Sequence, residues 1–401
     1  MPSLTRPADQ WSPPYFLSAL GAGGIAVTFF LWLYMWVPHP GQPVPVFEDV
    51  ARAFAAGNPL QQAMIILAYL GLGFFAVQHV RLMVWNLRRY GAFKRSPAFA
   101  TVQASNAGAG LFGLPLMLGM TVNVSFSAGL AFVPGLWSVV EYLFPLALLA
   151  FGGLAVMTLR MMGAHLARLS VAGRFDMSRA GSFLQVQPAF ALGMIGVGMS
   201  APAALSASST VAGIALVLST VLLVIAVVWA AVGVVLGVVA LLQHGVVEDQ
   251  IPTLMNIVPL MAVLGILMLR QNHGLHVHFG VHAAPGDDLW LLTALLAVQI
   301  GFLGLGLSMM RQHGYVGRFM RSATPSAGAY GLVCPGVGLA VLMQFWINKA
   351  LVGAGLVAKF GTVYWGLTAV LVAVQIAMLV LLLALNRRHF GLPQSQAVPA
   401  E

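Results

Sequence analysis

Ten stretches of this chain are apolar over about 20 residues or more, the length a helix needs to cross a bilayer core. They run over 13–36, 60–87, 97–122, 134–160, 182–204, 208–243, 251–270, 288–311, 325–348 and 360–386, with short polar segments between them. The run 208–243 is longer than one crossing requires, which predicts a strong tilt or an extension beyond the bilayer. The fold class predicted is an all-α integral membrane protein of ten transmembrane helices. It divides into an N-terminal segment 1–12, a membrane domain 13–386 and a tail 387–401. No cleavage site precedes the first apolar run, which therefore reads as a span and not as a removable signal peptide.

Composition narrows the class further. Of 401 residues, 60% are hydrophobic and 7% charged, and the mean hydropathy is +0.91. Soluble proteins carry about 25% charged residues, so a soluble enzyme, a disordered chain and a nucleic-acid-binding module are excluded. The net charge is +9, but 19 Lys and Arg against 10 Asp and Glu are too sparse for a basic stripe that would hold nucleic acid. Cys334 is the single cysteine, which excludes an intrachain disulfide and a cysteine-based metal site.

The basic residues instead report topology. With the N-terminus inside, 14 of the 19 fall in cytoplasmic segments: Arg6; Arg88, Arg89, Lys94 and Arg95; Arg160, Arg168, Arg174 and Arg179; Arg311, Arg318 and Arg321; Arg387 and Arg388. Arg81 lies near the inner end of the second span, and Arg52, Arg270, Lys349 and Lys359 fall outside. The positive-inside rule thus supports an even number of spans with both termini cytoplasmic. The expected partner is the lipid bilayer and the expected location a bacterial inner membrane.

Odd- and even-numbered spans differ chemically. Pro115, Pro188, Pro259 and Pro335 lie within spans three, five, seven and nine, and Pro13 and Pro14 open span one; among the even spans only the fourth has an internal proline, Pro145. Glycines gather in the same odd spans, as at Gly21, Gly23, Gly24, Gly336 and Gly338. Proline inside a helix removes a hydrogen bond and kinks it, and small residues let backbones approach. The pattern predicts five helical hairpins, each with a Pro/Gly-kinked inner helix and an apolar outer one, with the five inner helices around a central pore.

Three short stretches carry a resemblance. They are Ser12-Pro13-Pro14-Tyr15-Phe16 with Leu20-Gly21-Ala22-Gly23-Gly24, then Ile251-Pro252-Thr253-Leu254 leading to Pro259, then Arg321-Ser322-Ala323-Thr324-Pro325-Ser326. In this order across ten spans they resemble the tellurite-resistance/dicarboxylate transporter family, which includes the plant slow-type anion channels. The resemblance implies ten helices with five kinked inner ones around a pore in each protomer, assembly as a homotrimer, and passage of small anions or organic dianions. The family's seventh span usually carries two adjacent prolines, where this chain has Pro259 followed by Leu260. Its pore is gated by a phenylalanine from span nine, where this chain has Tyr330. The gate expected here is therefore Tyr330 or another inner aromatic: Phe16, Phe112 or Phe190.

The middle stretches of the inner spans contain no charged residue on this reading, and their polar content is neutral. Gln103, Asn106, Gln185, Gln187, Asn256 and Ser326 are the candidates for lining a pathway, with interhelical hydrogen bonding as the competing role for each. Neutral donors and the positive ends of broken helices hold an anion weakly, and weak holding suits conduction. The function expected is a channel or facilitative transporter for small anions or organic and oxyanion solutes, with no cofactor. A rival rests on 273–288, read as an external loop in which His273, His276, His278 and His282 precede Asp287 and Asp288. If it is strand-like, His276 and His278 share a side and suit zinc or copper, which implies a metal-linked transporter or sensor; a solvated loop is the plainer alternative. No Ser-His-Asp set, phosphate loop or metalloprotease motif appears, so no enzymatic role is expected.

Overall fold

The computed structural model of the chain describes residues 6–171, 174–282, 284–322 and 325–391, Pro285 by its backbone alone. The last residues of the expected tail, and Ala323 and Thr324 of the third resemblance stretch, lie outside the described residues. Among the described residues, ten helices are long and apolar enough to cross a membrane: α1 Pro13–Trp36, α2 Pro59–Phe93, α3 Asn106–Phe132, α4 Leu136–Leu169, α5 Phe183–Leu205, α6 Ser209–His244, α7 Glu248–Phe279, α8 Gly286–Gln312, α9 Ala327–Leu351 and α10 Thr362–Phe390. No strand occurs among the described residues. The protein is a multi-pass all-α membrane protein.

Four expected spans end six residues or more beyond the expected position: the second at Phe93, the fourth at Leu169, the third at Phe132 and the seventh at Phe279. The third was expected over 97–122, but Pro97–Gln103 is a separate helix that buries none of its residues. The chain is extended at Ser105, and the crossing helix occupies Asn106–Phe132. Hydropathy runs on through this break and cannot register it. The seventh was expected to stop at 270, where Arg270 begins a polar run. The helix instead continues to Phe279 and stops at Gly280, whose φ of 69° is a left-handed C-terminal cap. Arg270 and His273 sit on the face of α7 that looks into an internal cavity, and Gln271 Nε2 donates to Ser219 Oγ and Thr220 Oγ1 of α6; a hydropathy window reads both as the end of a span.

Burial separates the two sets of helices. The most apolar stretches of α1, α3, α5, α7 and α9 are 61–89% buried, and those of the even-numbered helices only 22–28%. Each odd helix packs against the odd helices before and after it, and α9 closes on α1. The even helices lie outside this ring, each between two odd ones. An even helix buries a narrow stripe, in α2 Ile65, Ala68, Leu72, Phe75, His79, Leu82 and Asn86, alternating by three and four residues as a helix seam requires. In α6 the stripe is mostly small: Ala212, Ala215, Ser219, Ala226, Gly233, Gly237 and Ala240 among others. Small residues bring helix backbones close, the main source of packing energy where lipid removes the hydrophobic drive.

Every odd helix opens with a 3-10 segment, at Pro13–Tyr15, Asn106–Phe112, Phe183–Val186, Glu248–Met255 and Ala327–Leu332. Pro115, Pro188, Pro259 and Pro335 all fall within the first three residues of the α-helical part that follows. The residue before each α-helical part is itself helical, so the 3-10 segment runs on without a break and each proline removes a backbone bond at the junction. Carbonyls loosened at these junctions find partners on neighbours. In a 3-10 turn Gln185 O would bond residue 188, a proline; Trp229 Nε1 of α6 donates to it instead at 2.9 Å. Gln299 of α8 donates through Nε2 to Val258 O at 2.7 Å and Gly338 O at 3.3 Å. Such bonds satisfy backbone groups that lipid cannot.

Candidate functional site

Three cavities lie in series inside the ring of odd helices. The near cavity, about 260 Å³, is walled by the starts of the odd helices, including Pro13, Gly110, Leu184, Pro252 and Ser326. The middle cavity, about 160 Å³, takes residues from all five odd helices and from α4. The far cavity, about 380 Å³, lies at the opposite ends of the odd helices, among Tyr34, Leu130, Leu205, His273 and Phe345. The five odd helices therefore run in one direction along a common axis. Middle and far cavities share six lining residues, Val27, Phe126, Ser127, Ile266, Arg270 and Val341. Near and middle cavities share none. Between them lies one helical turn on four helices, from Leu17 to Leu20, Gln187 to Phe190, Asn256 to Pro259 and Gly331 to Cys334.

The expected lining residues divide into two groups. Gln187, Asn256 and Ser326 meet at the near cavity. Gln187 also donates through Nε2 to Gly110 O at 3.3 Å, and Ser326 Oγ accepts from Gly328 N at 3.1 Å. Asn106, Gln103 and Gln185 line none of the three cavities. Asn106 is buried and locks the following connection: its Nδ2 donates to Asp176 O at 2.7 Å and its Oδ1 accepts from Asp176 N at 3.1 Å. Gln185 Nε2 donates to Asn106 O at 2.9 Å, and Gln103 closes the short helix before α3. The carboxyl of Asp176 accepts from the hydroxyl and N–H of Ser178, which hold it below the usual carboxylate range. Asn106→Leu is expected to lower stability by about 1–3 kcal/mol, because two hydrogen bonds to the backbone of Asp176 are lost, each contributing about 0.5–1.5 kcal/mol. Thermal unfolding in detergent measures this, and an unchanged midpoint contradicts it.

Of the four aromatic gate candidates, Phe190 lines a cavity, the middle one at its near end. Tyr330 is fully buried and turned to α10, where its hydroxyl donates to Asn386 Oδ1 at 2.9 Å and its ring meets His389. Phe16 packs on Trp11 and Tyr90, and Phe112 on His165.

The histidine-rich segment is not a loop. His273, His276 and His278 belong to α7, and only His282 follows its end. On a helix, positions 276 and 278 are about 200° apart and face different sides, so the strand-like pairing is replaced. His276 Nδ1 lies 3.0 Å from Val281 O and His278 Nε2 3.0 Å from Ser206 O, while His273 lines the far cavity. Among the described residues no three His, Cys, Asp or Glu side chains gather where they could hold a metal ion.

The interior also carries charge that the sequence reading placed elsewhere. Arg270 lines both the middle and far cavities, and its Nη1 donates to Val197 O at 2.6 Å. None of the ion pairs among the described residues involves it. Lys349, His273, His39 and Asp288 also line the far cavity, with Lys349 Nζ 5.7 Å from the centre of the Tyr34 ring. Asp249 is the charged residue of the near cavity. Asn123 and Ser127, which sequence reasoning passed over, line the middle cavity. Their signal was available: both lie in α3 one turn apart, the spacing that puts side chains on one face.

The sequence matches no protein-family model and no curated protein. Ten apolar helices around a chain of internal cavities nonetheless define a membrane transport protein in general terms.

Proposed function

We propose that the protein passes small anions through the near, middle and far cavities of each chain. Arg270 is the observation that carries this reading. An ionisable side chain within a membrane span is costly and marks a solute path. This one faces the cavities and joins none of the ion pairs among the described residues, so it attracts anions and repels cations in a region of low dielectric. One of its five N–H groups is spent on Val197 O, which aims the guanidinium and leaves donors for a solute. The passage involves no catalytic step and no resident cofactor.

The arrangement we infer is five hairpins, each pairing a Pro-bearing inner helix with an apolar outer one. The alternation of burial and the closed ring of odd helices support it. Fourteen of nineteen basic residues gather toward the starts of the odd helices, which supports a near cavity open to the cytoplasm and both termini inside a bacterial inner membrane. A distant place in the tellurite-resistance/dicarboxylate transporter family, and a homotrimer, rest on the three sequence stretches alone. Mass measurement of the detergent-solubilised protein tests the trimer.

In proteoliposomes under a chloride or nitrate gradient, the voltage at zero current is expected to follow the anion gradient. A voltage that follows potassium, or no anion flux at all, overturns the reading.

A further inference from the structure

The chemistry of the middle cavity narrows which anions it suits. Its walls are aromatic and aliphatic, with Phe126, Phe144, Phe151 and Phe190 among them, and Arg270 is the one charged residue among the described residues that line it. The other polar residues there, Asn123 and Ser127, spend donors on their own helix: Asn123 Nδ2 bonds Gly119 O at 3.0 Å and Ser127 Oγ bonds Asn123 O at 3.0 Å. Free N–H groups are therefore concentrated at one end, on the guanidinium. A dry apolar cavity of about 150 Å³ accepts a benzene ring, and this one measures about 160 Å³.

Resting on the anion pathway proposed above, we propose that the middle cavity is a binding site for organic monoanions with an apolar body about the size of a benzene ring, their carboxylate or sulfonate held by Arg270. The charged head forms paired N–H···O bonds with the planar guanidinium, and the body displaces water from the aromatic wall. A bare halide leaves that wall uncovered. A small dianion brings two charges to one cation, and the second, buried unpaired, is strongly disfavoured. The same site thus ranks anions by charge and by apolar surface.

Benzenesulfonate is the probe, since it stays ionised and does not leak through lipid as a neutral acid. Titrated calorimetrically into the purified full-length protein, it is expected to bind at least about tenfold more tightly than chloride or succinate, the ratio set by about 1.4 kcal/mol. Arg270→Gln is expected to abolish that binding, and Arg270→Lys, which keeps the charge but not the fork, to weaken it. Equal affinity for all three anions, or binding unaffected in both variants, overturns the proposal.

A second measurement needs no variant. Cys334 is the chain's only cysteine and lines this same cavity. Benzenesulfonate is expected to slow its reaction with the uncharged reagent N-ethylmaleimide, and chloride at equal concentration is not. Equal slowing, or none, overturns the site. Chloride flux that persists beside a failed benzenesulfonate result removes this site and leaves the pathway standing. Benzenesulfonate binding without any anion flux does the reverse.

Discussion

Gly338→Ala lowers the thermal midpoint of the protein, against the usual sign of the substitution. In an unhindered helix, alanine in place of glycine stabilises by about 1 kcal/mol. At Gly338, however, a Cβ would lie 2.6 Å from Pro259 Cα and 3.1 Å from both its N and Cβ. Those atoms are backbone and a closed ring, so they cannot rotate away as a side-chain tip does. The helices α7 and α9 must separate, and overpacking of this kind costs about 1–3 kcal/mol. Separation also strains the bond from Gln299 Nε2 to Gly338 O and reshapes the middle cavity, which Gly338 lines. Gly301→Ala in α8 is the control, since nothing lies within 4 Å of its added Cβ. It should be neutral or stabilising. A Gly338→Ala midpoint at or above wild type refutes the tight crossing of α7 and α9.

Phe190→Ala raises anion flux. The near and middle cavities are separated by a single turn, and Phe190 is the largest side chain that this turn presents to the middle cavity. An apolar constriction closes a path by excluding water and ions. Removing the ring is expected to speed passage about tenfold, equivalent to lowering a barrier by about 1.4 kcal/mol. Proteoliposome currents give the readout. Tyr330→Ala is the companion variant: its ring sits against Tyr15 and His389, so it should lower the thermal midpoint without opening the path. Faster flux in Tyr330→Ala and not in Phe190→Ala would move the constriction to α9.

These effects show why some residues were legible in the sequence and others not. The ten spans could be counted because a bilayer-length apolar run needs no tertiary information. Gln187, Asn256 and Ser326 were legible as neutral polar residues of the Pro/Gly-rich odd spans, and the structure sets all three at the near cavity. Asn106 and Gln185 are also neutral polar residues of odd spans but bond each other's segment and the connection at Asp176. An amide looks the same in both roles. The even helices carry apolar residues on both faces, as at the exposed Val217, Val224 and Val235 of α6. Hydropathy therefore leaves the buried stripe unmarked; residue size and scattered polar positions, such as His79 and Asn86 in α2, mark it instead.

Arg270 shows the limit most clearly. Its neighbours Gln271, Asn272 and His273 made it read as the end of a span, because a one-dimensional window assigns every charge to water outside the membrane. Composition and pattern were enough for the class of protein, the number of crossings and the chemical contrast between odd and even helices, since each depends on local transfer energy along the chain. The direction in which a side chain points, the pairing of Asn106 with a distant backbone and the placing of Arg270 inside the ring depend on helices far apart in sequence. Those were settled by packing alone, because a buried apolar helix is nearly the same on every side until its neighbours distinguish one face from another.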